Sequence, residues 1–319
     1  MKALKFNWEK LGIILEKMPS NNWSKSYLQF PAVLNIKDKI KVFVTTRPER
    51  TSDGKHVTYI RSFDLDSDNL LKAKNFSSNP VIDHGSNGEF DQFGTMPGDF
   101  AEFNDKIYMY YTGWNRLDSV PYNFSVGLAI SDDHGKTFVK YSNGPLIGQT
   151  YRTPLSCGSG AVIRNGDELH MFCISGIKWI YINDKLEHTY TIKHAISKDG
   201  INWNILDGDT INQMNDFEAI AAPTVIKIDN VYHMWYSYRG SHNFRGGDDS
   251  YKIGYAYSNN LYDWIRDDDK SGIQCSKDGW DSEMICYPYV FVHRSSYYML
   301  YNGNNFGEYS LGLAKLNLE

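Results

Sequence analysis

The sequence predicts an all-β fold, a five-bladed β-propeller built from four-stranded antiparallel blades. Three observations predict it. A short hydrophobic strand centred on Phe43, Met109, Met171, Met234 and Met299 recurs at intervals of 66, 62, 63 and 65 residues. Spacing that regular over nearly the whole chain means one supersecondary unit repeated. Eleven residues before each anchor stands a small or ring-constrained residue, namely Ala32, Gly98, Gly160, Pro223 and Pro288. Between these landmarks, runs rich in β-branched and aromatic residues alternate with Asn, Asp and Gly turns, and no stretch carries a helical period.

The first repeat is the least regular, with residues 57–63 as its third strand. In the second, a turn at Asn104-Asp105 joins two strands, and residues 126–131 form the third. The third repeat turns at Asn165-Gly166-Asp167 and places its third strand at 193–197. Asn-Gly and Asn-Asp pairs suit the positive φ of two-residue hairpins. The fourth repeat is the clearest, with strands over 223–228, 231–237, 251–258 and 262–265. In repeats two to four a turn after the third strand leads to an aromatic, Phe138, Trp203 or Trp264. The fifth repeat ends at Leu316, soon after its third strand, which begins at Leu311. The segment Leu4–Trp8 is expected to supply its missing outer strand and close the ring. A lone four-stranded sheet leaves two faces exposed, whereas five sheets around an axis bury each face on a neighbour. Residues 1–319 are therefore read as a single propeller domain.

A hydrophobic content of 41% supports a core, and 15% aromatics suits sheet-on-sheet packing. The net charge of −5 and the lack of a Lys/Arg run give no reason to expect nucleic acid. No apolar stretch reaches the length of a membrane span. Glu9 and Glu16 interrupt any signal-peptide core, so a cytoplasmic location is expected. Cys157, Cys173, Cys275 and Cys286 lack paired metal-ligand spacing and read as packed thiols. No metal and no cofactor are expected.

The fourth repeat, with residues 232–237 reading Tyr-His-Met-Trp-Tyr-Ser and 253–258 reading Ile-Gly-Tyr-Ala-Tyr-Ser before Trp264, resembles the five-bladed propeller glycosidases. That superfamily includes invertases, levansucrases, arabinanases, xylosidases and mannoside phosphorylases. Residues 280–290 and 301–304 most resemble bacterial glycosidase-like propellers, and the likeness spans residues 25–316. The resemblance implies an active site at the funnel mouth, where the innermost strands begin. In arabinanase-like enzymes a general-base Asp directly precedes the small or Pro residue of blade one, and an acid Glu lies two residues before it in blade three. Here the two corresponding rings are Pro31, Pro97, Ser159, Ala222, Tyr287 and Phe30, Met96, Gly158, Ala221, Cys286. Neither ring holds a carboxylate, so those roles do not carry over.

Glycoside hydrolysis generally uses two carboxyl groups flanking the scissile bond. Glu218 and Glu283 lie sixteen residues before the anchors of repeats four and five and are the expected catalytic pair. Asp99, on the first strand of repeat two, is a third catalytic candidate. Asp91, Asp216 and Asp281 stand eighteen residues before three anchors. That recurrence also suits a turn or cap. Expected substrate-binding residues are Arg47, Asp91, Trp114, Arg152, Arg239, His242, Tyr287, Asn302 and Asn304, all near strand ends facing the funnel. With Arg245, the cations Arg47, Arg152, Arg239 and His242 suit a phosphate, as in the mannoside phosphorylases, or the carboxylate of an acidic sugar. The expected function is a glycoside hydrolase-like, carbohydrate-active enzyme whose partner is a carbohydrate or sugar-containing small molecule. A non-catalytic glycan-binding propeller and a phosphate-dependent phosphorylase are the alternatives.

Overall fold

The computed structural model describes residues 6–15, 19, 21–36 and 39–318. It contains five four-stranded antiparallel sheets. The N-terminal strand β1 (Phe6–Leu15) precedes the first full blade, β2 (Ser26–Ile36), β3 (Lys39–Arg47), β4 (Tyr59–Asp66) and β5 (Asn69–Lys74). Blade two holds β6 (Gly94–Phe103), β7 (Lys106–Asn115), β8 (Asn123–Ser131) and β9 (Val139–Lys140). Blade three holds β10 (Ser156–Asn165), β11 (Glu168–Ile182), β12 (Lys185–Ser197) and β13 (Asn204–Ile205). Blade four holds β14 (Ala219–Ile228), β15 (Val231–Arg239), β16 (Lys252–Ser258) and β17 (Trp264–Arg266). Blade five comprises β18 (Cys286–His293), β19 (Ser296–Asn302) and β20 (Leu311–Leu318), with β1 as its outer strand.

The β1–β20 ladder runs from Phe6 opposite Leu318 to Leu15 opposite Leu311. The ring is thus joined through Trp8, and β1 extends seven residues past the segment the repeats point to. Leu4 and Lys5 lie outside the described residues.

Tight hairpins follow from local chemistry. Asn104-Asp105 and Asp229-Asn230 all have positive φ, between 47° and 65°, as two-residue turns require. The turns after the third strands repeat one device. Asp133 accepts hydrogen bonds from the Lys136 and Thr137 amides, Asp199 from Ile201 and Asn202, and Asn260 from Tyr262 and Asp263.

The core is divided into five interfaces, one between each pair of neighbouring blades. Leu28, Val44 and Phe63 of blade one meet Leu300 and Leu313 of blade five. Phe43 and Ile60 meet Met109 and Tyr111 of blade two. Tyr110 and Leu128 meet Leu169 and Met171 of blade three. Phe172 and Ile192 meet Met234 and Tyr236 of blade four. Trp235 and Tyr255 meet Met299, Tyr301 and, from β1, Trp8. All five anchor residues are fully buried, each contributing about 1.5–3 kcal/mol through removal of apolar surface from water. No helix among the described residues is long and apolar enough to cross a membrane.

Candidate functional site

Every innermost strand is broken at the same place. The ladders shift register between Gln29 and Ala32, Pro97 and Asp99, Gly158 and Ala161, Ala221 and Thr224, and Cys286 and Tyr289. These β-bulges bend the strands and re-aim their side chains, as bulges beside binding sites commonly do. Three bulge residues that are not glycine, Phe30, Ala222 and Tyr287, sit at φ of 50°, 49° and 54°. The amide freed at the bulge is taken by a neighbouring blade. Ser159 N–H donates to Thr112 Oγ1 at 2.8 Å, and Tyr287 N–H donates to Ser237 Oγ at 2.7 Å.

The bulges form the floor of a cavity of about 610 Å³ whose lining includes Phe30, Pro97, Ser159, Ala221 and Tyr287, one residue from each blade. Phe30 and Tyr287 stack at 3.9 Å between ring centres. The wall from blades two to four is aromatic, with Trp114, Tyr122, Phe124, Tyr190 and Tyr251. Trp114 Nε1 donates to Thr58 Oγ1 at 2.8 Å, which ties blade two to blade one. Tyr122 and Tyr190 share a hydroxyl–hydroxyl hydrogen bond of 2.8 Å. Burial pushes the phenols of Tyr122, Tyr190 and Tyr287 above their ordinary value. Burial also raises Tyr251, to about 12, against the pull of the nearby Arg239 guanidinium. All four are therefore neutral donors near pH 7.

Blades one and two supply a contrasting wall of Arg47, Arg50, Lys55, His56 and Arg116. Arg47 lies over the Tyr27 ring at 4.2 Å and donates to Gln29 Oε1 at 3.1 Å. Arg116 lies over Phe93 at 4.2 Å and donates to the His56 carbonyl at 2.8 Å. Burial, then the charges of Arg47, Arg50 and Arg116, lowers the His56 imidazole to about 4, so it is neutral at pH 7. Among the described residues, no Asp or Glu lines this cavity.

Of the residues the sequence nominates, the cavity brings together Arg47, Trp114 and Tyr287. Arg239 stands behind the wall, buried, with its guanidinium 3.7 Å from the Phe244 ring centre and donating to the His188 carbonyl at 2.8 Å. Glu218 does not reach the lining. It is buried in a two-pronged ion pair with Arg266, at 2.7 and 2.9 Å, and also accepts the Met214 amide at 2.7 Å. Glu283 is exposed at a turn whose amide donates to Asn304 Oδ1 at 2.9 Å. Neither lines the cavity, and both precede their inner strands, which begin at Ala219 and Cys286.

Asp99 lies below the floor, accepting Val162 N–H and Tyr289 O–H, each at 2.7 Å. Asp91 accepts Tyr111 O–H at 2.9 Å and pairs with Lys140 at 2.6 Å. Asp281 does the same for Tyr301 and Lys10 in blade five. Arg152 pairs with Asp207 at 2.7 Å. His242 lines a separate open depression with Glu187 and Arg245, which are joined by an ion pair of 2.6 Å. Asn302 is buried and donates to the carbonyls of Leu28 and Ser310, while Asn304 holds the turn before β18. The sequence reading passed over Arg50, Lys55, His56, Tyr122, Tyr190 and Tyr251. The one signal for the first three is their place on a long connection between second and third strands, residues 48–58, like residues 240–251 of blade four.

The fold defines a five-bladed β-propeller whose inner strands converge on one funnel cavity. Similar solved structures include a glycosyl hydrolase from Bacteroides ovatus, with a TM-score of 0.73 and 16% identity over 98% of this protein and 94% of that one. Another comes from the GH130 family of mannoside phosphorylases, which contains glycoside hydrolases that target β-1,2-mannosidic linkages in Candida mannan. It has a TM-score of 0.70 and 16% identity over 99% and 95% of the two proteins. At such identities the likeness is one of fold. No family model matches the chain. The chain belongs to the same family as the uncharacterized protein Rv1502 of Mycobacterium tuberculosis (strain ATCC 25618 / H37Rv), to which it is 32% identical over 97% of its own length and 99% of that protein's. A shorter match, 35% identical over 107 residues, covers 32% of this chain and 33% of a 1,2-β-oligomannan phosphorylase from Thermoanaerobacter sp. (strain X514).

Proposed function

We propose that this chain is a carbohydrate-active, glycosidase-like propeller that holds a saccharide in the funnel cavity. The observation that carries the reading is the convergence of five bulged inner strands on one cavity walled by Trp114, Tyr122, Phe124, Tyr190, Tyr251 and Tyr287. Its volume, about 610 Å³, falls in the range of small-molecule sites. Aromatic faces stack on the apolar faces of sugar rings, and neutral phenols donate to their hydroxyls. The geometry lends no support to hydrolysis by a Glu218–Glu283 pair. Calorimetric titration with a panel of mono- and oligosaccharides tests the proposal. At least one should bind the wild type, and Trp114→Ala should weaken it tenfold or more with the melting temperature as a folding control. A panel without a single binder sinks the reading.

A second reading, phosphate-dependent cleavage, is favoured by the local match to the 1,2-β-oligomannan phosphorylase together with a cationic wall free of carboxylates. In that reaction an oxygen of hydrogen phosphate attacks the anomeric carbon, the glycosidic C–O bond breaks and the departing oxygen takes the proton that the phosphate gives up. Phosphate then stands in for the carboxylate that attacks or activates water in hydrolysis. Release of a sugar 1-phosphate from β-1,2-mannobiose only in the presence of phosphate would support it. Equal turnover without phosphate would count against it.

A further inference from the structure

The cationic wall calls for a ligand feature that a neutral sugar lacks. Arg47, Arg50, Lys55 and Arg116 carry four positive charges along one side of the cavity, with neutral His56 among them. Among the described residues, neither Arg47 nor Arg50 has a carboxylate within 4.0 Å. The acids nearby lie outside the cavity lining: Asp53, half-exposed, pairs with Arg116 at 3.2 Å and reaches Lys55 at 3.9 Å, Glu49 pairs with Lys25, and Glu308 acts on Arg47 from beyond ion-pair range. Arg47 Nε and His56 Nδ1 are buried polar atoms with no hydrogen-bond partner among the described residues. Such atoms are costly to leave unmatched, and like charges gathered in a partly dry cleft repel one another. The accumulation also runs against the whole chain, whose net charge is −5. A cleft lined by one sign of charge concentrates ligands of the other sign.

We propose that the Arg47–Arg50–His56–Arg116 wall is an oxyanion subsite, and that the saccharide held in the funnel carries its own carboxylate or phosphate. This rests on the carbohydrate reading above and names its substrate class. The two walls belong to one cavity, so a ligand that fills it touches both. A free phosphate by itself would occupy only the cationic corner, and a separate neutral sugar, as in the phosphorolysis reading above, would have to fill the aromatic wall. A sugar bearing an oxyanion places its ring against Trp114 and the tyrosines while its charge meets the guanidinium forks, which match carboxylate and phosphate oxygens in pairs.

The test is a calorimetric comparison of glucuronic acid with glucose and of mannose 6-phosphate with mannose, alongside inorganic phosphate alone. At low salt, at least one anionic sugar should bind ten times more tightly than its neutral counterpart, and added salt should narrow the gap. Arg47→Gln/Arg50→Gln should bring each pair within threefold. Arg50→Gln alone, at an exposed position, should narrow the gap without threatening the fold. Neutral sugars binding as well as anionic ones would overturn the inference and leave the carbohydrate reading standing. Inorganic phosphate binding as tightly as the best anionic sugar would also overturn it, in favour of a free-phosphate site. If no sugar binds, both readings fall together.

Discussion

Asp99 occupies an inner-strand position whose side chain, in blades two and four, braces the next blade. Its Oδ2 accepts Val162 N–H of blade three at 2.7 Å, just as Thr224 Oγ1 accepts Val290 N–H of blade five at 3.0 Å. A carboxylate here does what a hydroxyl does elsewhere, which makes it a brace rather than an acid aimed at a substrate. The inner strands surround it although some of its own surface is still open, and burial raises its carboxyl to about 6 despite three hydrogen bonds to the charged form. The folded value exceeds the unfolded one, so its contribution is fully present below about pH 4 and is lost as pH rises through about 6. Discounted for partial accessibility, the loss is on the order of 2 kcal/mol. Asp99→Asn cannot ionise, and its amide sets a fixed offset by facing the Val162 donor. The stability of Asp99→Asn relative to wild type should therefore climb by about that amount between pH 4 and pH 7 in urea unfolding. A difference that stays flat across this range would show that Asp99 keeps an ordinary carboxyl.

The element that makes the funnel is the bulge in each inner strand, and it also marks where sequence reading ran out. The rings twelve and thirteen residues before the anchors do reach the cavity floor, through Phe30, Met96, Pro97, Gly158, Ser159, Ala221 and Tyr287. Their lack of carboxylates was legible from spacing alone. The bulge was not, because Phe30, Ala222 and Tyr287 are ordinary β-formers or neutral residues with nothing to announce a positive φ. The walls were hidden for another reason. Arg50, His56 and Tyr251 sit on connections of unequal length, so no fixed offset from an anchor finds them. Glu218 and Glu283 do keep a fixed offset, yet that offset falls outside the inner strand, where Arg266 and solvent receive them. Ala222 gives a direct test of the backbone claim. A left-handed conformation costs an L-residue with a Cβ roughly 1 kcal/mol more than glycine. Ala222→Gly should accordingly raise stability by about 1 kcal/mol, read as a shift of the urea midpoint at unchanged slope. A destabilised variant would mean that the Ala222 methyl packs more strongly than its backbone strains.

At the scale of the whole molecule, five sheets become one ring only because β1 returns to β20. The period of the anchors made the blade count legible, since each anchor must bury itself between two neighbouring sheets and only a repeated unit supplies that environment. The closing strand was legible by arithmetic, from a fifth repeat one strand short. Its length was not, because β1 carries bulges between Lys10 and Gly12 and between Ile13 and Leu15 that break the alternation of apolar and polar residues. Trp8 is the residue on which closure turns. It is buried, meets Trp235 of blade four edge-to-face at 5.3 Å, and its amide donates to the Gly272 carbonyl at 2.9 Å. Its indole therefore spans the seam between blades four and five, where Met299 and Tyr301 complete the packing. Trp8→Ala should cost about 3–5 kcal/mol, the range for truncating a buried aromatic. The main-chain ladder survives that change, so far-ultraviolet circular dichroism of the folded variant should match the wild type while its melting temperature falls by several degrees. Trp8→Phe, which keeps an aromatic ring in the seam, should recover more than half of the loss. A Trp8→Ala variant within 1 kcal/mol of wild type would mean that the ladder alone holds the ring, and that the repeated interfaces, rather than the seam, set the stability of the propeller.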